Sequence, residues 1–442
     1  MTPLLKEAMR QHKLGQFDQA RQAYRQVLAQ SPDNADTLHY LGVLMHRRGE
    51  SEKGAQLIRK AIKRIPAYVD AHKNLGNVLK ESGKLEKAEQ CYRKAIGLLP
   101  GDADAYSNLC VVLRLQDRVD EAVQAGQDSI AINEENPIAW LNYGNALKGA
   151  GMLESAIAAY YRALNFNKEL VEAHTGLCHA LYRLEKISDA PEAAIDERVH
   201  AYREWLKAEP DNPLAKFMLA ACAGDGSVSR APDSVVKNLF DGFAASFDEN
   251  LALLDYRVPG LIRDHLRQLY GKSKLDLSIL DAGCGTGLCA AFLKPLSRSL
   301  VGVDLSSGML ERAGRLALYD ELIEAELTSY LQQASQKFDL IICADTLCYF
   351  GQLESVLNAA GNTLNAGSRF IFTLEKLDSG SSGGYHINTS GRYSHTTEYV
   401  RTCLAEALLT VVNITEKVIR NESGEPVHGL FVEAEKAMGS DR

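Results

Sequence analysis

Prolines at 32, 66 and 100 stand 34 residues apart, and other positions follow the same step. Small residues recur as Ala8, Gly42, Gly76, Cys110 and Gly144, and again as Ala20, Gly54, Ala88, Ala122 and Ala156. Bulky residues recur between them as Tyr24, Ile58, Tyr92 and Tyr160, with Leu41, Leu75, Leu109 and Tyr143 in a second row. A unit this short cannot bury its apolar face alone, so it must stack on copies of itself. This period confines the first half of the chain to an array of stacked repeats.

The pattern resembles the tetratricopeptide repeat. The resemblance implies an all-α solenoid of about six repeats plus a capping helix over residues 1–222. The sixth unit, Val171 to Pro210, is longer, with extra residues around Asp189 to Ala194, and Pro213–Cys222 reads as the cap. Ala223 to Asp233, rich in Gly, Ser and Asp, reads as a linker, which leaves 234–442 as a second domain. Asn74, Asn108 and Asn142 occupy one register of three successive first helices. Asparagine is a mediocre helix former, and an amide both donates and accepts. Such a row is suited to holding the backbone of an extended peptide, and it resembles that of tetratricopeptide proteins that glycosylate other proteins. Bonding between neighbouring helical turns explains the same residues.

In the second domain, Ile279-Leu-Asp-Ala-Gly-Cys-Gly-Thr-Gly287 follows a short apolar run and precedes the helix-like stretch Leu288–Leu296. Alternate glycines let backbone approach a ligand closely, and strand–glycine loop–helix is a nucleotide cradle at the carboxyl edge of a parallel sheet. The dinucleotide fingerprint would need glycine where Leu288 stands, and a phosphate loop would need Lys-Ser/Thr after Gly287. What remains resembles motif I of the class I S-adenosylmethionine-dependent methyltransferases. That resemblance implies an α/β domain with a Rossmann-like, seven-stranded mixed sheet and S-adenosyl-L-methionine as cofactor. It assigns Asp281, Gly283, Cys284, Gly285 and Gly287 to the loop around the donor. Asp304, closing the next apolar strand, would face the ribose hydroxyls, with Leu305 and Met309 behind it. Glu326 and Leu327 would lie near the adenine, and Asp345, closing the strand Phe338–Asp345, beside the methyl-donor pocket.

Leu239 to Asp248 resembles the aromatic pre-motif helix of many methyltransferases, a lid over the donor. Tyr256-Arg257 resembles a pair in predicted bacterial methyltransferases that carry tetratricopeptide repeats. Arg257 is there a candidate partner for the methionine carboxylate, or else a member of a surface salt bridge. Gly384 to His395, following the serine–glycine run 378–383, reads as a loop or short hairpin over the sheet edge. Its His386 and His395 are candidate bases and Tyr349 a pocket-lining candidate on the acceptor side, while bonds to loop backbone are the alternative for either histidine. Leu409–Ile419 and His428–Glu435 read as the closing antiparallel pair of the sheet.

With 46% apolar and 24% charged residues, the chain has the balance of a globular protein. The formal charge of −8 falls entirely after residue 222, since 1–222 carries 29 basic and 29 acidic residues. An acidic second domain argues against a nucleic-acid substrate. The cysteines lack CxxC pairs or histidines at ligand spacing, so reduced thiols and no metal are expected. No signal peptide or membrane span is visible, and a cytoplasmic protein is expected. The leading expectation is methyl transfer to a peptide or protein recruited by the solenoid. The alternatives are a small-molecule methyltransferase whose repeats serve assembly, and a non-catalytic donor-binding adaptor.

Overall fold

The computed structural model describes residues 2–271, 275–378, 383–422 and 424–438. Its contacts divide into two compact units, Met1–Glu185 and Lys186–Arg442.

In the first unit, helices pair as Pro3–Lys13 with Phe17–Gln30, Ala35–Arg47 with Ser51–Arg64, and Val69–Glu81 with Leu85–Leu98. Ala103–Leu115 then pairs with Val119–Ile132 and Pro137–Gly149 with Leu153–Phe166, before Val171–Ile187 follows. At one register of the array the side chains of Asn34, Asp102 and Asn136 each accept from a first-turn N–H, whereas Tyr68 at the same register makes no such cap. The small-residue rule is steric. A Cβ on Gly76 would stand 2.6 Å from the Tyr92 ring, and one on Gly144 would stand 2.9 Å from Tyr160. In the fourth repeat the aromatic register holds Gly126, and a Cβ there would meet Tyr143 at 2.7 Å. Tyr143, from the leucine row, supplies the missing volume.

The asparagine row is bonded inside the array. Asn74 Nδ2 lies 2.7 Å from His39 Nε2, and His39 Nδ1 lies 3.2 Å from the Tyr68 hydroxyl, which donates to Asp36 Oδ1 at 2.8 Å. Tyr68 spends its proton on Asp36, so His39 donates from Nδ1 and accepts from Asn74 at Nε2. Burial pushes the His39 pKa down to about 4, which keeps this ring neutral. Asn142 Nδ2 donates to Ser107 Oγ at 2.8 Å, and Asn108 Nδ2 donates to the Asp104 carbonyl of its own helix. All three asparagines line one groove, together with Asp70, Lys73 and Asp104.

The second unit begins with the helices Pro191–Ala208 and Pro213–Ala223. The latter, expected as the cap of the array, packs Phe217 and Ala221 against Ile387 and Tyr393 of this unit. Residues 229–231, within the expected linker, are also built in. Gly351 and Gln352 both donate to the Ser229 carbonyl, and Ala231 N–H donates to the Tyr349 carbonyl at 2.9 Å.

The sheet runs through β1 (Leu277–Ala282), β2 (Ser297–Asp304), β3 (Glu321–Glu324), β4 (Phe338–Cys343) and β5 (Leu364–Lys376). It continues with β6 (Tyr385–Ile387), β7 (Tyr393–His395), β8 (Leu409–Glu422) and β9 (Glu425–Lys436). The order β3-β2-β1-β4-β5 is parallel throughout, and β9 lies antiparallel between β5 and β8. The seven strands expected are present. The β6–β7 hairpin adds two more by pairing Ser394 and His395 with Glu375 and Lys376 at the end of β5. Alternate residues of β1 face opposite cores: Ile279 packs with Val258 and Ile262, Leu280 with Val301, Ile341 and Leu357. Burial on both faces explains the apolar run. The chain leaves β1 toward β2 on one side and returns as β4 on the other, so the crevice opens beyond the ends of β1 and β4. The helix expected over Leu288–Leu296 is only Ala290–Leu293 followed by a 3-10 turn at Lys294–Leu296. Pro295 lacks the N–H that would continue it.

Candidate active site

Beyond the ends of β1, β2 and β4 lies a cavity lined by Asp281, Gly283, Cys284, Gly285, Asp304, Leu305, Met309, Glu326, Leu327, Asp345 and Tyr349. The candidate donor residues are thus gathered from four separate stretches of chain. Gly283 and Gly285 have φ of 73° and 55°. A Cβ on Gly283 would collide with Thr346, whereas one on Gly285 would meet nothing nearer than Phe247 at 3.9 Å. The first glycine is therefore required by packing, and the second opens space in the cavity. Gly287, φ 91°, does not line the cavity and faces Leu316 and Tyr319.

The carboxylates are held by different means. Asp304 accepts from Gly285 N–H at Oδ2 and from Ser306 N–H at Oδ1, both at 2.9 Å, which ties β2 to the glycine loop. Burial raises its pKa despite those bonds. Asp281 is buried and accepts from the Tyr319 hydroxyl at 2.6 Å; desolvation pushes its pKa up to about 7. Glu326 caps the helix Leu327–Gln333, accepting from Thr328 N–H at 2.8 Å and Ser329 N–H at 2.7 Å, and pairs with Arg230 at 3.0 Å. Burial opposes its ionisation, but the two amides and Arg230 prevail and its pKa is lowered.

Asp345 has φ 54° and lies in a cluster of buried charge. Its Oδ2 is 3.3 Å from Arg392 Nη1, and Arg420 Nη1 stands 3.9 Å from Oδ1, which has no hydrogen-bond partner. Arg392 Nη1 is also 3.2 Å from Glu375 Oε1, which accepts from Arg420 Nη2 at 2.6 Å. Burial disfavours a charged Glu375, yet the two guanidinium groups lower its pKa. Tyr349, on the turn Leu347–Tyr349, lies beneath the Arg392 guanidinium, and burial pushes its phenol up to about 12.

The roof is the segment Asp233–Leu253, which contributes Val236, Phe240, Phe247 and Leu251. Asp241 Oδ1 accepts from Gly308 N–H at 3.1 Å, and Thr286 donates to Asp248 at 2.6 Å. Polar latches thus hold an aromatic lid over the glycine loop.

Three candidates lie elsewhere. Arg257 is exposed on the surface, where its Nε donates to Asp255 at 2.9 Å, and it does not line the cavity. His395 is fully buried; its Nε2 donates to the Gly351 carbonyl at 3.0 Å, and burial pushes its pKa down to about 4. It anchors the turn behind Tyr349. His386 is exposed on β6, outside the lining. Residues 379–382 of the serine–glycine run lie outside the described residues. Sequence reasoning missed Arg392, Arg420, Glu375 and Tyr319. Arg392 lay in the quoted 384–395 stretch, but its partners come from β4, β5 and β8, and no spacing announces them.

The family model described as a methyltransferase domain matches residues 279–367, and tetratricopeptide repeat models match 10–49, 69–102 and 138–169. The chain joins tetratricopeptide repeats to a methyltransferase domain. Over 93 residues, 21% of the chain, the domain is 43% identical to human Methyltransferase-like protein 27, covering 38% of that protein. It is 29% identical over 135 residues to the human mitochondrial ubiquinone biosynthesis O-methyltransferase, across 28% of this chain and 36% of that one. The chain therefore spans little more than a third of the length of these two relatives. Magnesium protoporphyrin IX methyltransferase from Synechocystis PCC 6803, solved with bound SAH, aligns at 16% identity and TM-score 0.37, over 46% of this chain and 99% of that one. Among the described residues, no helix of the fusion is long and apolar enough to cross a membrane, and no cluster of His, Cys, Asp and Glu is arranged to hold a metal.

Proposed function

We propose that the methyltransferase domain transfers a methyl group from S-adenosyl-L-methionine to a peptide or protein acceptor that the tetratricopeptide repeats recruit. Bound there, the cofactor supplies an electrophilic methyl on a sulfonium, so the protein has chiefly to align the partners and exclude water. The observation that carries the reading is the line of carboxylates along one cavity, ending at a buried carboxylate oxygen without a hydrogen-bond partner. Asp345 Oδ1 is that oxygen, and it suits the donor's ammonium. Asp304 keeps a second lone pair on each oxygen for the ribose hydroxyls. The open space over Gly285 admits the nucleoside, and Glu326 and Leu327 lie where the adenine would end. Phe240, Phe247 and Tyr349 keep water from the methyl.

On the repeats, the groove that contains Asn74, Asn108 and Asn142 presents amides and carboxylates to an extended backbone. One amide proton of Asn74 and one of Asn142 are engaged, so each amide still offers its second proton and its carbonyl oxygen to a peptide backbone.

The test is calorimetric titration of S-adenosylmethionine into the full chain and into Asp304→Ala. Removing a charged acceptor of two hydrogen bonds should weaken the donor about 100-fold, and unchanged affinity would overturn the donor assignment. Asn74→Ala with Asn108→Ala should weaken capture of an acceptor peptide while donor affinity stays constant. A fragment that begins at 186, and so keeps Phe217 against the hairpin, should lose efficiency on that acceptor; equal efficiency would remove the repeats from substrate selection.

A further inference from the structure

Arg392 immediately precedes β7 and lines the cavity beside Asp345 and Tyr349. Its Nη1 is shared between Asp345 and Glu375, and its Nη2 lies 3.4 Å from the Tyr349 hydroxyl. The guanidinium carbon sits 5.5 Å from the centre of the Tyr349 ring. Those contacts leave the Nε–H and one Nη2–H without a hydrogen-bond partner among the described residues. This pair is the side-on edge of the fork, which matches both oxygens of a carboxylate.

Among the described residues that line the cavity there is no histidine or lysine, and Asp281, whose carboxyl burial pushes up to about 7, is engaged by the Tyr319 hydroxyl. His395 is sealed behind the Gly351 turn with its Nε2 committed, and His386 is exposed outside the lining. Glu375 is held by two guanidinium groups. The phenols of Tyr256 and Tyr349 are kept protonated by burial. An alcohol or an ammonium ion must lose a proton as it takes the methyl, and an ammonium would also face Arg392. A carboxylate is deprotonated at neutral pH before it arrives.

We infer that Arg392 binds the methyl acceptor, and that the acceptor is a carboxylate held side-on by Nε and Nη2. The inference rests on the donor assignment above. One carboxylate oxygen forms the new O–CH3 bond as the methyl–sulfur bond breaks. That bond's electron pair goes to sulfur, the sulfonium charge and the carboxylate charge disappear together, and no proton moves. The product is a methyl ester. A small organic acid and the side-chain or terminal carboxylate of a peptide share this chemistry.

The experiment uses the full chain saturated with S-adenosylhomocysteine and titrates in benzoate against benzamide, and a glutamate peptide against its glutamine counterpart. At least one carboxylate should bind about 30-fold more tightly than its amide; which of the two does so identifies the source. Arg392→Gln should abolish that preference in a protein that still binds S-adenosylhomocysteine. Arg392→Lys keeps the charge without the fork and should fall between, so it carries the test if the glutamine variant does not fold. With methyl-labelled S-adenosylmethionine, label transferred to the preferred carboxylate should be released as methanol in alkali. Equal binding of carboxylate and amide, wild-type preference in a folded Arg392 variant, or alkali-stable label would each overturn the inference. Failure of the unaltered chain to bind S-adenosylhomocysteine would instead fell the donor assignment, and the acceptor inference with it.

Discussion

In the repeats, Gly76 and Gly144 have helical backbone and are glycine because a tyrosine ring occupies the space of a Cβ. In the methyltransferase domain, Gly283 and Gly285 have positive φ, and the second of them faces open cavity. The same residue type thus makes room for a ring in one unit and, at Gly285, leaves cavity space open in the other. Buried polar groups divide the same way. His39 in the array is neutral, in a chain of hydrogen bonds that ends on Asp36, whereas the cavity end holds Asp345, Glu375, Arg392 and Arg420 as unlike charges with two buried atoms, Asp345 Oδ1 and Arg420 Nη1, lacking a hydrogen bond. A structural polar cluster closes on itself; one built for a ligand leaves positions open.

Substitutions can break this contrast. Glu375→Gln takes a charge from between two buried guanidinium groups and should cost about 3–5 kcal/mol in chemical denaturation; a loss under about 1 kcal/mol would mean the cluster is solvated after all. Because Glu375 is lowered in the folded state, its contribution is present above the ordinary carboxylate range and lost as pH falls through the lowered value. Asp281 works in the opposite sense. Its folded pKa of about 7 lies above the unfolded one, so the folded state binds the proton better, and stability falls as pH rises from about 4 to about 7. Asp281→Asn should remove that slope, worth about 4 kcal/mol over the interval; an unchanged slope would show the carboxyl to be ordinary.

In the array, Gly126→Tyr should destabilise by about 1–3 kcal/mol through overpacking against Tyr143. Adding Tyr143→Leu restores the arrangement of the other repeats and should recover most of it, and failure to recover would mean that volume does not govern the register. The smallest effect is expected at His395→Gln. The amide still donates to the Gly351 carbonyl, so donor affinity should hold and stability should shift by less than about 1 kcal/mol. A loss of the pH dependence of turnover in that variant would restore the histidine as a base.

Much of the fold could be read before the structure. Period-34 spacing located the helix pairs, and apolar runs ending in Asp281, Asp304 and Asp345 located three parallel strands and their carboxyl ends. Reading was poorer where a residue's partner is remote. Arg257 resembled a carboxylate ligand but bonds Asp255, two residues away. His395 resembled a base but faces the core, because β7 pairs with the end of β5 and turns its ring inward. The stretch 223–233 had the composition of a linker, yet Ser229 and Ala231 pair with the turn that carries Tyr349.

The sequence by itself determined the repeat, the strand–glycine–helix order and the acids that close the strands, since each depends on neighbours within one element or one period. Only the tertiary structure decided which charges meet. Asp345, Glu375, Arg392 and Arg420 lie on four strand ends or turns up to 75 residues apart, and their ion pairs exist because β5 gathers β4, β7 and β9, with β8 beyond it, into one sheet. Local propensity acts over a few residues, whereas the electrostatics of a buried site depends on every charge within a few ångströms, whatever its place in the chain.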